Sequence, residues 1–464
     1  MTLNWFSPLP PAPTAIASYT AALLPVLREC AHVVLWTDQG SWDRGIERLA
    51  PVRHYQPEDP PWGELNRADL SIYHIGNHAS FHGGLWRVSC RQPGLVVLHD
   101  LCLQHLYVQH YRERGDRAAY VAAMARHYGA AGALAAAAFW LGDGFIDHAA
   151  PTYPLTPLAV HNALGVLVHT RAAFESVTGH NRVPVAWAPL PYAASPRRLG
   201  AMHSPDAQPP YRLITFGHIG SNRCLDAVLD ALAGFSERER FRLEIYGSVW
   251  NAAAMRAHIH ACGLDGLVAL RGYVPDAELD AALERAHLAI NLRYPTMGEA
   301  SLSQLQIWDH ALPSLVTRAG WYAQLPEDAV AFVQPGCEQR DVQAHLRAFL
   351  DDPRRFAHLG ENGRRLLEAR HTPRSYAQAL VELSDRAQRF RPSAMAWRLA
   401  ERAGVQLEAW IRPLGSSIPF RRVAEAIHAL TSPAPQSDRH ATAVGPPVAS
   451  HDGAWTPKPD PRNG

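Results

Sequence analysis

Glu299, Arg223 and His99 are the residues whose types and settings carry chemistry. Glu299 closes a polar loop, Pro295-Thr296-Met297-Gly298-Glu299, between the apolar run Leu288 to Leu292 and the small residues Ala300 and Ser301. A carboxylate and small residues at the start of a helix that follows a buried strand form a natural ligand site, because free backbone N–H groups and the positive end of the helix dipole face an anion there. The N–H groups of Ser301, Leu302 and Ser303 would cradle such a phosphate. Arg223 ends a second segment, Phe216-Gly217-His218-Ile219-Gly220-Ser221-Asn222-Arg223. Its glycines let backbone approach a phosphate, and the guanidinium can pair with diphosphate oxygens; the competing reading of Arg223 is a solvated first-turn residue. His99 follows the run Val96-Val97-Leu98, which places it at a strand's C-terminal end, facing a cleft. A capping or supporting role is its alternative, and Asp100 reads as the N-cap of the next helix.

These residues require strands and helices to position them. From Ser301 the apolar positions Leu302, Leu305, Ile307 and Trp308 suit a helix that Leu312 and Pro313 close before a strand from Ser314 to Thr317. Thr2 to Phe6, Ala15 to Arg28 and His32 to Trp36 read as strand, helix and strand, the start of a doubly wound sheet. Further strands fall at Leu70 to Ile75, Leu95 to Leu98, Gly165 to Val168 and Pro184 to Ala188. After a Ser-, Pro- and Arg-rich segment, 193–210, the alternation restarts. Tyr211 to Gly217, Phe241 to Gly247 and Leu267 to Arg271 are strands, and Arg223 to Phe235 and Ala252 to Cys262 are helices. Asp276 is placed to cap the next helix. Helices at 340–350, 353–370 and 373–390 close the second half. The expected organisation is therefore an N-terminal Rossmann-like domain (1–192), a linker (193–210), a C-terminal Rossmann-like domain (211–390), a helical extension (391–431) and a disordered tail (432–464).

In the quoted motifs the chain resembles the retaining glycosyltransferases of family 4, whose GT-B fold sets two Rossmann-like domains across a cleft. The resemblance covers roughly residues 2 to 390. It implies that Glu299 orients the donor sugar, that Arg223 binds the leaving diphosphate and that His99 hydrogen-bonds a sugar hydroxyl. It further implies donor contacts from Gly217, His218, Gly272, Tyr273, Ala300, Ser301, Leu302, Ser303 and Gln306, with the base seated near Arg271-Gly272-Tyr273-Val274. The chain departs from the family pattern at three places. Gln306 stands where a second Glu holds the ribose, one residue closer to Glu299 than usual; His218 replaces an Arg; and Ala15 replaces a Gly in the first loop, Ser7 to Tyr19. A glutamine amide still hydrogen-bonds a diol, without the strength that charge adds.

The function implied is transfer of a hexose from a nucleotide-diphosphate sugar to a glycan or lipid-linked acceptor, in polysaccharide or surface-glycan synthesis, with retention of configuration. No cofactor or metal is expected, since no Asp-x-Asp pair is arranged as a metal site. Other GT-B enzymes, such as sugar epimerases or phosphorylases, are a lesser alternative. A non-catalytic GT-B nucleotide- or glycan-binding scaffold is another, supported by the three departures. Glycosidase chemistry fits less well, because it needs paired carboxylates across the scissile bond.

Composition narrows the partners. With 44 basic and 43 acidic residues, no bulk field recruits nucleic acid or an anionic membrane. The six cysteines lack Cys-x-x-Cys spacing, which argues against zinc and against a disulfide framework, and fits a reducing cytoplasm. No window has the length of a membrane span; the Ala-rich stretch Gly129 to Leu141 reads as a packed helix, with a membrane-interface element as its alternative. The expected location is cytoplasmic, with peripheral association at the inner face of the membrane left open. Near the C-terminus Trp397, Leu399, Leu407, Trp410 and Ile411 are read as core-covering, with a partner or membrane surface as alternatives.

Overall fold

The computed structural model describes residues 1–142, 146–180, 182–196 and 208–411. Apolar runs of strand length separated by helices build two all-parallel sheets. The first contains β1 (Thr2–Phe6), β2 (His32–Thr37), β3 (Val52–His54), β4 (Leu70–Ile75), β5 (Gly94–Leu98), β6 (Ala163–Val168) and β7 (Val185–Trp187), in the order β3-β2-β1-β4-β5-β6-β7. The second contains β8 (Tyr211–Phe216), β9 (Phe241–Tyr246), β10 (Val268–Gly272), β11 (Leu288–Asn291), β12 (Ser314–Thr317) and β13 (Ala331–Val333), in the order β10-β9-β8-β11-β12-β13. The expected doubly wound α/β class holds in both halves. Strands β4, β5, β6 and β11 are buried along their whole length, as a sheet covered on both faces requires. Each sheet reverses its strand order once, between β1 and β4 and between β8 and β11, and such switch points open a crevice at the strands' C-terminal ends.

Sequence periodicity missed the three-residue strands β3 and β13, which are too short for an alternating pattern to show. It also divided one long helix. Pro373–Ile411 runs as a single element through Pro392, and Leu380, Leu383 and Ala387 of this helix join a core cluster with Leu164 and Leu167 of β6. A helix encoded after the second sheet therefore packs on the first. In its last turns Leu399 is 71% exposed, contrary to the core role expected of it, whereas Trp397 is half-buried with the Arg182 guanidinium 5.1 Å over its ring. The side chains of Leu407, Trp410 and Ile411 lie outside the described residues, as do residues 197–207 of the expected linker and everything beyond 411.

Ser195, beyond the last strand of the first sheet, is held against the second half. Arg364, buried in helix Pro353–Arg370, donates to the Asp309 carboxylate at 2.5 Å and to the Ser195 carbonyl at 2.5 Å. Asp309 in turn accepts from the Ser195 N–H at 2.9 Å. Buried ion pairs persist when their remaining hydrogen-bonding capacity is satisfied, and both backbone groups of Ser195 do that here. Glycine makes the close approach possible: a Cβ on Gly363 would stand 2.1 Å from the Trp308 ring.

Two cap assignments need correction. Asp276 is the first residue of helix Asp276–Arg285, and Pro275 occupies the cap. Asp100 does not cap helix Gln104–Glu113, whose cap is Leu103; it accepts a hydrogen bond from the Asn77 N–H at 2.7 Å instead. The Ala-rich stretch belongs to helix Arg117–Leu141, kinked at Gly129, with Leu134 and Leu141 exposed. Among the described residues no helix is long and apolar enough to cross a membrane. All six cysteines are free thiols.

Candidate functional site

The β8–β11 switch point brings together the two segments singled out above. The 217–223 loop leaves β8, and the 292–301 loop leaves β11. Gly217 turns with φ 105°, a left-handed conformation that only glycine adopts without strain, and an added Cβ would lie 3.9 Å from Ser303 Oγ. Ser301 caps helix Leu302–Asp309 by accepting from the Gln304 N–H at 3.1 Å. The amides of Leu302 and Ser303 belong to the first turn, where a helix offers N–H groups without intrahelical acceptors. The two loops thus meet at a helix N-terminus, an anion-binding setting.

Arg223 is 4% exposed, which excludes the solvated alternative. Its Nη1 donates to Asn291 Oδ1 at 3.1 Å, its Nη2 to the Phe216 carbonyl at 3.0 Å, and its Nε is buried without a partner. Behind it Asn291 Nδ2 donates to Gln304 Oε1 at 2.9 Å, and Gln304 Nε2 donates to Ser314 Oγ at 2.8 Å. This buried chain fixes the guanidinium plane from two strands and a helix. Burial, followed by the nearby Arg293, lowers Arg223 to about 10, so it stays cationic at neutral pH.

Glu299 is 9% exposed. One carboxylate oxygen accepts from Arg293 Nη1 at 2.5 Å and the other from the Met297 N–H at 2.7 Å, so the carboxylate is held rigidly with lone pairs to spare. Burial pulls the Arg293 guanidinium down, but Tyr322 and Glu299 more than offset it and its net shift is upward. Arg293 Nε, like Arg223 Nε, is buried without a partner. Burial first, and the Glu299 charge second, raise the Asp100 carboxyl. Two guanidiniums therefore surround one fixed carboxylate, and a second carboxyl beside them resists ionisation. The local excess is positive.

The first half contributes the opposite wall. Leu101 and Cys102 donate their N–H groups to the Met297 carbonyl at 2.9 and 2.8 Å, and Thr170 Oγ1 donates to the Gly298 carbonyl at 3.3 Å. Gly298 has φ 80°, and a Cβ there would stand 2.5 Å from that of Leu101. The loop carrying Glu299 is thus docked on the C-terminal edge of the first sheet. His99, 9% exposed, sits at that edge with its Nε2 3.0 Å from His74 Nδ1. His169 and Tyr19 complete a buried ring cluster, with centroids 4.9 and 5.3 Å from His99. Burial holds His74 and His99 well below the ordinary imidazole value and lowers His82 and His169 to about 4, so the cluster is neutral.

The remaining expected residues are more peripheral. His218 is exposed, with Nδ1 3.1 Å from Ser248 Oγ. Gly272 (φ 71°) ends β10, and Tyr273 after it is 77% exposed. Ala300, Leu302, Ser303 and Gln306 are half-buried. In the first loop Thr14 caps helix Ala15–Cys30, so Ala15 occupies an ordinary helical position. Sequence reasoning missed Arg293, Asn291 and Gln304. Each left a trace: a cation directly after a buried strand, a polar residue ending that strand, and an amide between apolar helix positions.

The arrangement defines the GT-B architecture, and solved structures share it. Sucrose-phosphate synthase from Thermosynechococcus elongatus superposes with a TM-score of 0.60 at 14% identity, over 82% of this chain and 98% of that one. Anabaena HepE in complex with UDP gives 0.56 at 14% identity, again over 82% and 98%. WaaG, a glycosyltransferase involved in lipopolysaccharide biosynthesis, gives 0.53 at 14% identity, over 82% and 99%. At such identity the likeness is one of fold. Residues 223–382, from Arg223 past Glu299 into helix Pro373–Ile411, match the model of the family described as glycosyl transferase-like. No curated protein matches the chain.

Proposed function

We propose that the protein is a glycosyltransferase of family 4 type that takes its sugar from a nucleotide-diphosphate donor and transfers it, with retention, to a glycan or lipid-linked acceptor. The observation that carries this reading is a pair of guanidiniums, buried Arg223 and half-buried Arg293, set around Glu299 near the N-terminus of helix Leu302–Asp309. Departure of a nucleoside diphosphate leaves negative charge on the terminal phosphate. Two fixed cations and a helix N-terminus already oriented toward that charge lower the barrier without reorganising during the reaction.

Glu299, immobilised by Arg293 and Met297, would accept hydrogen bonds from sugar hydroxyls and hold the anomeric carbon in line with the acceptor. His99, kept neutral by burial, would hydrogen-bond the sugar from the first half without adding charge. The protein groups suffice for this without a metal. UDP-glucose is the donor to try first, because HepE has been crystallised with it. Cytoplasmic transfer to a surface-glycan precursor is the setting the reading favours.

Release of nucleoside diphosphate from UDP-, GDP-, ADP- and dTDP-sugars, with and without a chelator, tests the proposal. Turnover of one donor class that survives chelation and is lost in Glu299→Gln is expected. Inertness of a folded protein toward every donor would favour the scaffold alternative.

A further inference from the structure

Away from this site, the outer face of the second half gathers a different set of side chains. Asp226 and Asp230 lie one turn apart on helix Leu225–Ala233, while His258 and Cys262 lie one turn apart at the end of helix Ala252–Ala261. Spacing of i and i+4 puts each pair on a single helix face, and the two faces meet. His258 Nε2 is 2.8 Å from Asp230 Oδ1, and Cys262 Sγ is 3.8 Å from the same oxygen. The donor atoms of Asp230, His258 and Cys262 all lie within 4.8 Å of one another.

We infer that Asp230, His258 and Cys262 form a binding site for a zinc-class divalent cation. Tetrahedral zinc with bonds of about 2.0–2.3 Å holds its ligand atoms about 3.3–3.8 Å apart. The Cys262 sulfur already stands at about that spacing from Asp230 Oδ1, and the His258 imidazole would withdraw from the same oxygen by about half an ångström. Thiolate, imidazole and carboxylate together select zinc or cobalt over magnesium or calcium, which prefer all-oxygen sites.

The charges balance as well. A dication would meet one carboxylate and one thiolate, with the Cys262 proton released to solvent. His258 would bind through Nε2 and keep its proton on Nδ1. Asp226 Oδ1 lies 3.7 Å from that Nδ1, and an approach of about half an ångström or more would let the carboxylate accept its proton, orient the metal-bound imidazole and raise its basicity. Three protein ligands leave a fourth position for water.

The place in the fold gives such a cation a purpose. Helix Leu225–Ala233 starts two residues after Arg223, and helix Ala252–Ala261 follows the β9 exit whose Ser248 contacts His218. A bridge between them would tie together the helices that follow β8 and β9, while Arg223 and Glu299 are held by protein groups and do not depend on it.

Titration of the untagged, reduced full-length protein with Co2+ decides the matter. One equivalent is expected to bind with a thiolate-to-metal charge-transfer band. Cys262→Ser should abolish that band, while Cys30→Ser, at an exposed cysteine on the far helix, should retain it. His258→Ala should weaken binding at least tenfold, and Asp226→Asn roughly tenfold, as loss of a partner to a metal-bound histidine does. Zn2+ should raise the melting temperature of the wild type and not that of Cys262→Ser. Absence of saturable binding to the wild type, or a charge-transfer band that survives Cys262→Ser, would overturn the assignment.

Discussion

The two walls of the cleft differ in charge. The wall from the second half holds Arg223, Arg293 and Glu299, each fixed by at least one hydrogen bond. The wall from the first half holds His74, His99 and His169, imidazoles that burial keeps neutral. Both walls offer hydrogen bonds, but only the first-named carries full charge. Under the proposed function this division places cations where the leaving diphosphate gains charge and neutral groups where sugar hydroxyls are held. An imidazolium on the wall from the first half would add a cation beside the sugar, where positive charge develops.

The largest effect that separates the walls should come from Glu299→Gln. It preserves shape and removes the carboxylate proposed to fix the sugar, so turnover should fall roughly 10²-fold while nucleotide affinity stays within a fewfold. Steady-state kinetics beside calorimetry would show it, and an equal loss in both quantities would place Glu299 in nucleotide binding instead. Next comes Asn291→Leu, which leaves an Arg223 N–H buried and unpaired. A loss of about 1–3 kcal/mol in unfolding free energy is expected, along with a raised KM for the donor. Urea denaturation reads the first effect and initial rates the second.

The neutral wall predicts a pH dependence. His82 and His169 have folded values near 4, below the ordinary 6.5, so the unfolded chain takes up protons that the fold refuses. Their contribution to stability is complete above about pH 6.5 and is lost as pH falls toward 4, by roughly 1.4 kcal/mol per pH unit for each. Denaturation between pH 7 and pH 5 should show this slope. His169→Asn, which keeps a donor for the Ala188 carbonyl, should reduce it by one histidine's share. The smallest effect is expected from Gly217→Ala. At φ 105° it should cost about 1 kcal/mol and weaken nucleotide binding modestly by crowding the approach to Ser303.

The legibility of this division in the sequence was uneven. Parallel strands such as β4 and β11 stood out because burial on both faces demands unbroken apolar runs. Arg223 and Glu299 stood out because glycine and small residues beside them mark strand-to-helix turns. The chain Arg223–Asn291–Gln304–Ser314 did not, since its members lie 68, 13 and 10 residues apart and only the fold brings their side chains together. Arg293 was within the most informative stretch, yet its pairing with Glu299 depends on a loop conformation that spacing does not encode. The histidine cluster was hidden by number: with 25 histidines in the chain, no single one announces that it is buried against another. The packing of helix Pro373–Ile411 on the first sheet is a long-range contact of the same kind.

Calorimetric binding of UDP, with GDP, ADP and dTDP alongside, to the wild type and to Arg223→Ala in the presence of a chelator tests the charged wall most directly. One nucleotide should bind, and its affinity should fall roughly 10- to 150-fold in the variant, the equivalent of one or two charge-assisted hydrogen bonds. Equal affinity in the two proteins, or no binding of any nucleotide to the folded wild type, would contradict a diphosphate site at Arg223.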